Sequence, residues 1–550
     1  MKNKIKIALM INPNRKFYAW EINLINSIKK SNYCEIKAIL YEPNLNKNQN
    51  YLKRLLNFFL KRNIFKSFLH LIIKLVENKF TSNLYTKNDL FKNIKSIKID
   101  PKRQRYSDYF NNKDVIKIRK LKLDVILRRD FRILKGDILR SAKYGIWSLH
   151  HGDNDFIRGI PPGFWETFYN LPITGVTLQK INEVLDGGHI VDKGYYGTKF
   201  FWKHNESFIK EKSVQIVLKN LRNIYNNKNI KFKKSRSTSK TEYYSNPKFY
   251  HLFFYIIKKY PYFIFKKLIR LLFPINLFLN KWKICEIKNN NLKNFKNNLN
   301  GKIFPTPFYQ YWADPFYFKN GQKEYLFFEN YNLLSMRGKI SCAEIFQGNL
   351  TNVTDVIKKD YHLSYPNIFR LGKKIFMIPE TAEKKRVEIW VCIKFPEKWK
   401  LFKTIFNNES WVDVNFFKDD KGNKWLFGNK SNDKYFDHNS ELYIFKVQDN
   451  NFNQLIPHKK NPVIIDSRRA RNAGKIFYNS KSELIRPSQI NIYERYGFGL
   501  NLNKILKLTI NDYQEVEIKK ITANKNSRLS GIHHFAKGNG KIYVDKLFKF

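Results

Sequence analysis

Residues capable of acid–base chemistry are concentrated between Asp124 and Ile190. Two adjacent histidines, His150 and His151, lie in this stretch, and Asp186 stands near its end. An imidazole titrates near neutral pH, so it can polarise a carbonyl oxygen or carry a proton. A neighbouring carboxylate favours the charged ring. Attack of an amine on a carbonyl carbon needs such residue types, because the amine loses a proton while an oxyanion develops.

Four short motifs in this stretch have an order and spacing that resembles the 10-formyltetrahydrofolate-dependent formyltransferases. That family includes methionyl-tRNA formyltransferase and sugar N-formyltransferases. The likeness is sharpest between Leu121 and Val191. The motifs are, in chain order, Arg132-Ile133-Leu134-Lys135 with Leu139, His150 with Arg158-Gly159, Thr174-Gly175-Val176-Thr177, and Leu185-Asp186-Gly187-Gly188.

The resemblance implies roles for individual side chains. His150 takes the place of the family's catalytic histidine, and Asp186 that of its catalytic carboxylate. The implied formyl donor is 10-formyltetrahydrofolate. Its pterin is expected against the loop 129–134 and the backbone of residues 183–186. The implied donor-binding residues are Arg129, Phe131, Ile133, Leu134, Glu183 and Leu185.

Ser148 departs from the family pattern, because it stands where the family has a catalytic asparagine. A hydroxyl offers one hydrogen-bond donor on a short arm, whereas an amide offers two. Loss of an oxyanion donor typically lowers the rate by about 10²–10³. Three alternatives follow: Ser148 acts through a water molecule, His151 or Asn154 compensates, or the domain has lost its activity.

The acceptor is expected near the turn Arg158-Gly159, which leads into the sequence PPGFWE. In the formyltransferases this region begins the helix beside the acceptor pocket. Trp165 and Glu166 would then stack on, and hydrogen-bond to, a sugar or nucleotide. A helix start with a buried tryptophan is the alternative interpretation.

The elements that must position these residues are those of a parallel α/β sheet. Lys4–Ile11 and Glu35–Tyr41 have the composition of strands, and Ala19–Lys29 between them has apolar residues at helical spacing. Asp124–Arg128 and Gly145–Leu149 are two further strands. Strand, helix and strand in this order predict a Rossmann-like α/β domain.

The second half of the chain has a different rhythm. Short runs of aromatic and β-branched residues recur from about Ile303, with turns between them. This rhythm predicts an all-β domain, for which a propeller or a sandwich fits best. The runs include EYLFFE, KKIFMIP, VEIWVC, KWLFG, ELYIFKV, GKIFY and KIYVD.

Two segments of this half, Tyr311–Glu329 and Tyr361–Glu380, resemble the first blades of five-bladed propellers of the glycosidase type. The pieces HLSYP and MIPET, with residues 471–474 and 486–489, look like the N-terminal domain of plant glucosamine inositolphosphorylceramide transferases. The implied division is a formyltransferase-like α/β domain at 1–226, a basic and aromatic helical linker at 227–290, and a five-bladed β-propeller at 291–550.

Propellers of the glycosidase type direct carboxylates from successive blades into a central funnel. A pair at suitable separation can cleave a glycosidic bond. Sugar binding without catalysis is the alternative, with Trp312, Trp390 and Trp411 as stacking faces or as core residues. The candidate funnel residues are Asp314, His362, Glu380, Asp413 and Arg486.

The formal net charge of +56 indicates either acidic partners or a bias of composition towards lysine. Nucleic acid is disfavoured, because the lysines are dispersed and no base-reading motif is present. Two stretches, Tyr51–Phe80 and Phe249–Trp282, are aromatic and basic. Lys and Arg within the first exclude a membrane span, and it could pack on its domain or lie on an anionic membrane. The second is interrupted by Lys, Arg and Pro, and it could be a docking helix between domains or an interfacial anchor.

The four cysteines, Cys34, Cys285, Cys342 and Cys392, have no metal-ligand spacing, so we expect free thiols and no metal site. The short apolar run at the N-terminus suits a first strand, not a signal peptide. These features predict a cytoplasmic protein, with a peripheral position at the inner face of the membrane as an alternative.

The resemblances imply an enzyme that N-formylates an amino sugar, nucleotide- or lipid-linked, in surface glycan biosynthesis. The alternative is a glycan-binding or glycan-processing propeller protein with a degenerate formyltransferase domain. Neither interpretation specifies an oligomeric state.

Overall fold

The computed structural model describes residues 3–43, 64–80, 84–85, 88–184, 188–226, 230, 232–234, 243–272, 281–287, 301–431, 433–522 and 529–548. The chain forms two compact units, residues 1–264 and residues 265–550. The first unit has an α/β architecture and the second is rich in β-strands. This confirms the predicted contrast between the two halves.

The first unit is built on a seven-stranded sheet with the order β13-β12-β10-β8-β1-β3-β5. The strands from β10 to β5 in this order are parallel. Strand β12 runs antiparallel to β10, and β13 runs antiparallel to β12. The strands of this unit are β1 (Ile5–Met10), β2 (Phe17–Tyr18), β3 (Cys34–Tyr41), β4 (Leu84–Tyr85), β5 (Lys95–Lys98), β6 (Lys102–Gln104), β7 (Ser107–Tyr109), β8 (Val125–Arg128), β9 (Ile133–Lys135), β10 (Ile146–His150), β11 (Arg158–Gly159), β12 (Ile173–Lys180), β13 (His189–Gly197) and β14 (Tyr243–Tyr244).

The apolar sequence of β1, IKIALM, explains its central place, because a strand covered on both faces buries both sets of side chains. Helices α1 and α5 pack against each other beside the sheet. The helices among the described residues are α1 (Ala19–Lys30), α2 (Ile64–Glu77), α3 (Asn112–Arg119), α4 (Phe164–Phe168), α5 (Trp202–Tyr225) and α6 (Phe249–Leu272), with short 3₁₀ helices at Asn78–Phe80, Asn88–Phe91, Asp137–Arg140 and Ala382–Lys384.

The second unit contains, within the described residues, five antiparallel sheets. Their strand orders are β17-β18-β19-β20, β21-β22-β23-β24, β25-β26-β27-β28 with β29 beside β27, β30-β31-β32-β33, and β16-β15-β35-β34. The last sheet joins the beginning of the unit to its end, because β15 pairs with β35.

The strands of the second unit are β15 (Trp282–Ile287), β16 (Lys302–Ile303), β17 (Gln310–Asn320), β18 (Lys323–Asn332), β19 (Arg337–Phe346), β20 (Asn349–Ile357), β21 (Ser364–Leu371), β22 (Lys374–Glu380), β23 (Val387–Lys394), β24 (Lys398–Ile405), β25 (Ser410–Lys418), β26 (Lys424–Ser431), β27 (Glu441–Val447), β28 (Leu455–Pro457), β29 (Ile464–Ile465), β30 (Phe477–Tyr478), β31 (Leu484–Ile492), β32 (Arg495–Leu508), β33 (Tyr513–Thr522), β34 (Leu529–Lys537) and β35 (Ile542–Phe548).

The first strands of three successive sheets carry the same irregularity. The pairing of β17, β21 and β25 with the next strand shifts register near the middle of each strand. Asp314, Tyr365 and Asp413 lie at these shifts with φ values of 49°, 46° and 50°. Such bulges turn a side chain away from the regular alternation of a strand. The repeated bulge therefore turns one side chain of each of these three strands away from the direction that regular alternation would give it.

The division between the units lies inside the segment 227–290 that the sequence predicts as a linker. Helix α6 begins in this segment, and Leu252 and Tyr255 are buried in the core of the first unit. Strand β15 also lies in it and belongs to the last sheet of the second unit. Much of the expected linker is therefore structured, because its apolar residues pack.

No helix among the described residues has both the length and the apolar character needed to cross a membrane.

Candidate functional site

His150 is the last residue of β10, at the edge of the seven-stranded sheet where parallel strands end. Its neighbours are β8, in which Arg128 is level with Ser148, and β12, in which Thr177 is level with His150. Ligands of open α/β sheets commonly bind at this carboxyl edge. The sheet therefore puts Ser148 and His150 where a ligand can approach them.

A cavity of about 160 Å³ adjoins the half-buried ring of His150. It brings together residues from separate parts of the motif region, because Ser148, Ile133 and Leu134 border it with His150. The remaining lining residues are Arg128, Leu149, Gln179, Ile181, Asn182, Val184 and Gly188. Leu185 and Asp186, the expected donor contact and catalytic carboxylate, lie outside the described residues.

Nε2 of His150 lies 3.2 Å from the backbone carbonyl oxygen of Ile157. A carbonyl oxygen only accepts hydrogen bonds, so Nε2 carries the proton of this contact. The bond holds the ring at a set orientation beside the cavity. In a neutral ring the basic nitrogen is then Nδ1.

Gly152 provides the space for this arrangement, a role that the motif comparison misses. A Cβ atom at position 152 would lie 2.8 Å from Nε2 of His150 and 3.0 Å from the carbonyl oxygen of Ile157. Any side chain there would press on the imidazole and on its acceptor. The sequence signal was the glycine directly after the paired histidines.

The loop that follows His150 is tied to the sheet by polar contacts. Thr177 Oγ1 donates to the carbonyl oxygen of Gly152 at 3.0 Å. Asn154, which is fully buried, donates through its amide to Gln179 Oε1 at 2.7 Å. Lys193 pairs with both Asp153 and Asp155. The amide nitrogen of Asn154 is thus committed to the fold, which argues against it as the donor that replaces the family's asparagine.

His151 faces a different cavity, of about 100 Å³, which Trp20 and Trp147 also border. Its Nε2 lies 3.3 Å from Ser213 Oγ, and its ring meets Trp20 edge-on. Burial, with a smaller contribution from Lys210, lowers the pKa of His151 well below its ordinary value. The ring is therefore uncharged at neutral pH and does not adjoin the His150 cavity.

Three other expected donor contacts are directed away from His150. Arg129 forms an ion pair with Glu21 and borders the cavity of His151. Phe131 packs on the apolar core, with its ring 5.9 Å from that of Phe110. Glu183 accepts from the backbone of Gly136 at 3.3 Å and borders a wider groove. Arg129 and Phe131 follow β8 and contact different neighbours although they are two residues apart, and Glu183 belongs to the separate segment after β12.

The turn Arg158-Gly159 forms strand β11, which pairs with β14. Gly159 has a φ of +110°, and a Cβ there would lie 1.9 Å from the carbonyl oxygen of Tyr244. Glycine is required at this position by the close approach of two backbones. The implied role of Gly159 in substrate binding is therefore corrected to a structural one, and Arg158 is half-buried beside it.

Trp165 and Glu166 are buried, with 4% and 2% of their surfaces exposed. The Trp165 ring lies 4.8 Å from His251 and 4.9 Å from Tyr244, and its Nε1 donates to a backbone carbonyl. Burial raises the pKa of Glu166 to about 7. The expected stacking on a sugar is wrong for Trp165, and the alternative of a buried helix start is correct.

The second unit gathers a larger set of buried charges. Asp314 Oδ1 lies 3.2 Å from Nε2 of His533 and 3.3 Å from Nδ1 of His534. On its other side, Nδ1 of His533 lies 2.9 Å from Asp545 Oδ1. Backbone N–H groups add to the set, because Tyr365 N donates to Asp314 Oδ2 at 3.1 Å. The paired histidines at 533–534 were the sequence signal for this cluster, and it was missed.

His533 is charged in this setting. Burial opposes the charge, but Asp545 and Asp314 raise its pKa to about 10. Burial acts to raise the pKa of Asp314, yet the contacts with His533 and His534 hold it below its ordinary value. A buried imidazolium between two carboxylates is stable only as a set, since removal of one partner leaves an unpaired buried charge.

Asp314, His533 and Asp545 could hold a metal ion, because their ligand atoms lie within 4.8 Å of one another. Each nitrogen of His533 already faces a carboxylate. Ion pairing accounts for their closeness without a cation.

Glu380 and Asp413 form the other half of the buried cluster, with Arg471 between them. Arg471 Nε donates to Asp413 Oδ2 at 2.6 Å, and the guanidinium lies 3.8 Å from Glu380 Oε2. Burial and the nearby Asp413 raise the pKa of Glu380 to about 8. Burial also raises the pKa of Asp413, although Arg471 opposes it.

Asp314 and Glu380 are thus held in opposite protonation states at neutral pH. The charge of Asp314 contributes to this difference, since Asp314, after burial and Asp413, is among the groups that raise the pKa of Glu380. A pair of carboxyl groups whose environments push their pKa values apart can supply one acid and one base. The structure brings together three of the five expected funnel residues, Asp314, Glu380 and Asp413.

The two remaining funnel residues, His362 and Arg486, lie in different surroundings. Glu329 is a further buried carboxyl group of the cluster, and burial and the nearby Asp314 raise its pKa. His362 adjoins it, with Nε2 3.6 Å from Glu329 Oε1, and its Nδ1 accepts from Gly338 N. Arg486 is fully buried and donates twice to Glu515 at 2.8 Å, and also to backbone carbonyls. Arg486 therefore forms a structural ion pair with Glu515, and its predicted place in the funnel is wrong. The tryptophans proposed as stacking faces, Trp312, Trp390 and Trp411, are buried in the core.

Comparison with known proteins places a sequence match in the second unit. The family model described as glucosamine inositolphosphorylceramide transferase 1, N-terminal, matches residues 299–535. The glucosamine inositolphosphorylceramide transferase 1 of Oryza sativa subsp. indica is 32% identical over 210 residues, which are 38% of this chain and 28% of that protein. The chain thus spans less than a third of this relative. The match confirms the likeness predicted for the second half.

Solved structures with weaker likeness fall into two groups. A sugar 3N-formyltransferase crystallised with dTDP and 5-N-formyl-THF has 18% identity and a TM-score of 0.27, over 44% of this chain and 70% of its own. A thermostable family-43 glycoside hydrolase has 11% identity and a TM-score of 0.31, over 47% and 93%. Both TM-scores are below 0.5, so neither alignment carries a functional argument.

Replacement of Gly152 by alanine tests the packing around His150. The new methyl group must displace the imidazole or the carbonyl of Ile157, so we expect a loss of about 1–3 kcal/mol in the free energy of unfolding. We also expect a shift of the His150 Cε1–H resonance in the NMR spectrum. An unchanged resonance and unchanged stability would show that the ring is not held there.

Replacement of Glu380 by glutamine tests its raised pKa. The folded protein keeps a proton that the unfolded chain releases between pH 4.5 and about 8, so stability falls as pH rises through this window. Glu380→Gln should flatten this fall by about 2–4 kcal/mol, measured by denaturant unfolding at pH 5 and pH 8. The exposed Glu397→Gln variant is the control, and identical curves for both variants would contradict the buried titration.

Proposed function

We propose that the first unit transfers a formyl group from 10-formyltetrahydrofolate to the amine of an amino sugar during glycan biosynthesis. The observation that supports it is the meeting of Ser148, His150, Ile133 and Leu134 at one cavity. These residues come from β9, the end of β10 and two of the motifs that resemble formyltransferases. They meet although they are distant in sequence, as an active site of that family requires.

The lining of the cavity suits a flat ring with a hydrogen-bonding edge. Ile133 and Leu134 offer apolar contact, while Gln179 and Asn182 offer amide groups. These residues, with Arg128, are the ones that would hold the pterin. The bound donor would supply the formyl group.

The reaction forms a carbon–nitrogen bond between the acceptor amine and the formyl carbon, and it breaks the bond from that carbon to the donor nitrogen. The amine loses one proton and the departing nitrogen gains one. The imidazole of His150 takes part in this proton transfer. Ser148 Oγ donates a hydrogen bond to the developing oxyanion, directly or through a water molecule.

The five antiparallel sheets are, in this proposal, the blades of a five-bladed propeller that recognises the glycan. The shared bulge of β17, β21 and β25 supports this, because it turns one residue of each first strand towards the buried cluster. The matched relatives are transferases that their names connect with a glycolipid. A cytoplasmic location is part of the proposal.

Replacement of Ser148 by asparagine is the sharpest test of the first unit. The amide restores the second donor of the family pattern, so we expect the rate of formyl transfer to rise by about tenfold or more. The assay uses 10-formyltetrahydrofolate with a panel of amino-sugar nucleotides. His150→Gln should lower the rate by about 10²-fold or more, whereas His438→Gln, in the second unit, should not change it.

An assay without product for any acceptor, in the wild type and in Ser148→Asn alike, would overturn the proposed formyl transfer. If the Ser148→Asn variant had a lower rate than the wild type, the hydroxyl of Ser148 would not be in the oxyanion position.

A second candidate function is cleavage or transfer of a glycosidic bond by the second unit. The opposite pKa shifts of Asp314 and Glu380 favour it, because the reaction needs an ionised and a protonated carboxyl group together. Turnover should then fall as pH rises through about 8, where Glu380 loses its proton.

Glu380→Gln and Asp314→Asn should each abolish this turnover, and His150→Gln should leave it unchanged. The measurement is release of reducing sugar from candidate glycans across pH 5–9. Full turnover in Glu380→Gln would exclude the carboxyl pair as the acid and base.

A further inference from the structure

Helix α2 is apolar on both of its faces. Leu69, Ile73 and Glu77 are buried, and they follow one another at four-residue spacing. The opposite face carries Phe68, Leu71 and Leu75, of which 58%, 51% and 70% is exposed. An amphipathic helix of a globular protein normally has polar residues on the face away from the core. The second apolar face of α2 is therefore in excess of what folding needs.

Helix α6 repeats this pattern beside α2. Leu252, Tyr255 and Tyr260 enter the same apolar core as Leu69 and Ile73. The side chains exposed on the helix include Tyr250, Phe254, Ile257 and Ile264. The two helices are neighbours, since the rings of Phe65 and Phe249 lie 6.2 Å apart.

The exposed faces of the two helices carry positive charge but no exposed carboxylate. Helix α6 contains no Asp or Glu. The one acidic residue of α2, Glu77, is buried and accepts from the hydroxyl groups of Tyr255 and Tyr260 at 2.7 and 3.1 Å. Lys74 and Lys258 are exposed beside the apolar residues.

The segment that leads into α2 is also apolar and basic. From Tyr51 to Val76, a range that includes most of α2, the sequence has no acidic residue and several Lys and Arg among its apolar residues.

We propose that this face binds the surface of an anionic membrane, with α2 and α6 lying in the plane of the lipid headgroups. The apolar–basic surface is formed by Phe65, Phe68, Leu71 and Leu75 of α2, by Tyr250, Phe254 and Ile257 of α6, and by Lys74 and Lys258. Its aromatic and aliphatic side chains enter the headgroup layer, and its lysines pair with lipid phosphates and carboxylates.

Charge decides between a membrane and a second copy of the chain. A symmetric dimer through this face would bring the lysines of both copies together without acidic partners. An anionic lipid surface instead complements them. The helices lie on the membrane and do not cross it, because no described helix is long and apolar enough to span a bilayer.

The test is co-sedimentation of the full chain with vesicles of phosphatidylcholine alone and with vesicles that also contain about 30% phosphatidylserine, an anionic lipid of the cytoplasmic leaflet. We expect binding to the anionic vesicles, little binding to the neutral ones, and release by high salt. Comparable binding to both, unaffected by salt, would overturn the electrostatic part of the proposal.

Two variants locate the surface. Phe68→Ser/Leu71→Ser/Leu75→Ser removes the apolar face of α2 and should reduce the partition coefficient at least tenfold. Lys74→Gln/Lys258→Gln removes two charges and should reduce it by about 25-fold, at roughly fivefold per lysine. Both variants change exposed side chains, so circular dichroism should remain as in the wild type.

A matched control removes exposed apolar residues of the second unit. Leu334→Ser/Met336→Ser/Leu506→Ser changes three residues that are 72%, 67% and 57% exposed. This variant should bind the anionic vesicles as the wild type does. Equal loss of binding in control and test variants would overturn the proposal, and so would a wild type that dimerises through the surface without binding vesicles. Formyl transfer to a soluble amino-sugar nucleotide does not depend on this surface, so failure of the two proposals can be told apart.

Discussion

The hydrogen bond from His150 Nε2 to the carbonyl oxygen of Ile157 is the contact on which the geometry of the candidate site in the first unit depends. It requires the loop after β10 to turn back on itself, which Gly152 permits because it has no side chain. The contacts of Thr177 and Asn154 then hold that loop against β12. A protonated Nε2 and a neighbouring cavity follow from this one folded-back loop.

A different constraint organises the second unit, which buries several carboxyl groups close together. Water cannot solvate them, so their charges are balanced by His533 and Arg471 or are removed by protonation. The result is a low pKa at Asp314 and a raised one at Glu380. The repeated bulge supplies the geometry, because it brings Asp314 and Asp413 out of the alternation of their strands.

Much of the fold could be predicted because hydrophobic periodicity is a local property. The predicted strand Asp124–Arg128 is β8, from Val125 to Arg128, and the predicted helix Ala19–Lys29 ends one residue later. Side-chain directions in the segment between β8 and β10 could not be predicted in this way, because Arg129, Phe131 and Ile133 contact different neighbours. Side-chain direction in an irregular loop depends on the elements it packs against, and the spacing of residues does not record it.

The sequence by itself determined the α/β and β-rich halves, the position of Ser148 and His150 at a strand end, and the acidic residues of the second unit. Tertiary structure alone decided which of these residues share an environment. It buried Trp165, committed Arg486 to Glu515, and joined Asp314 to Asp545 across 231 positions of sequence. Burial and ion pairing depend on which strands become neighbours in space, and that information is absent from any short stretch of the chain.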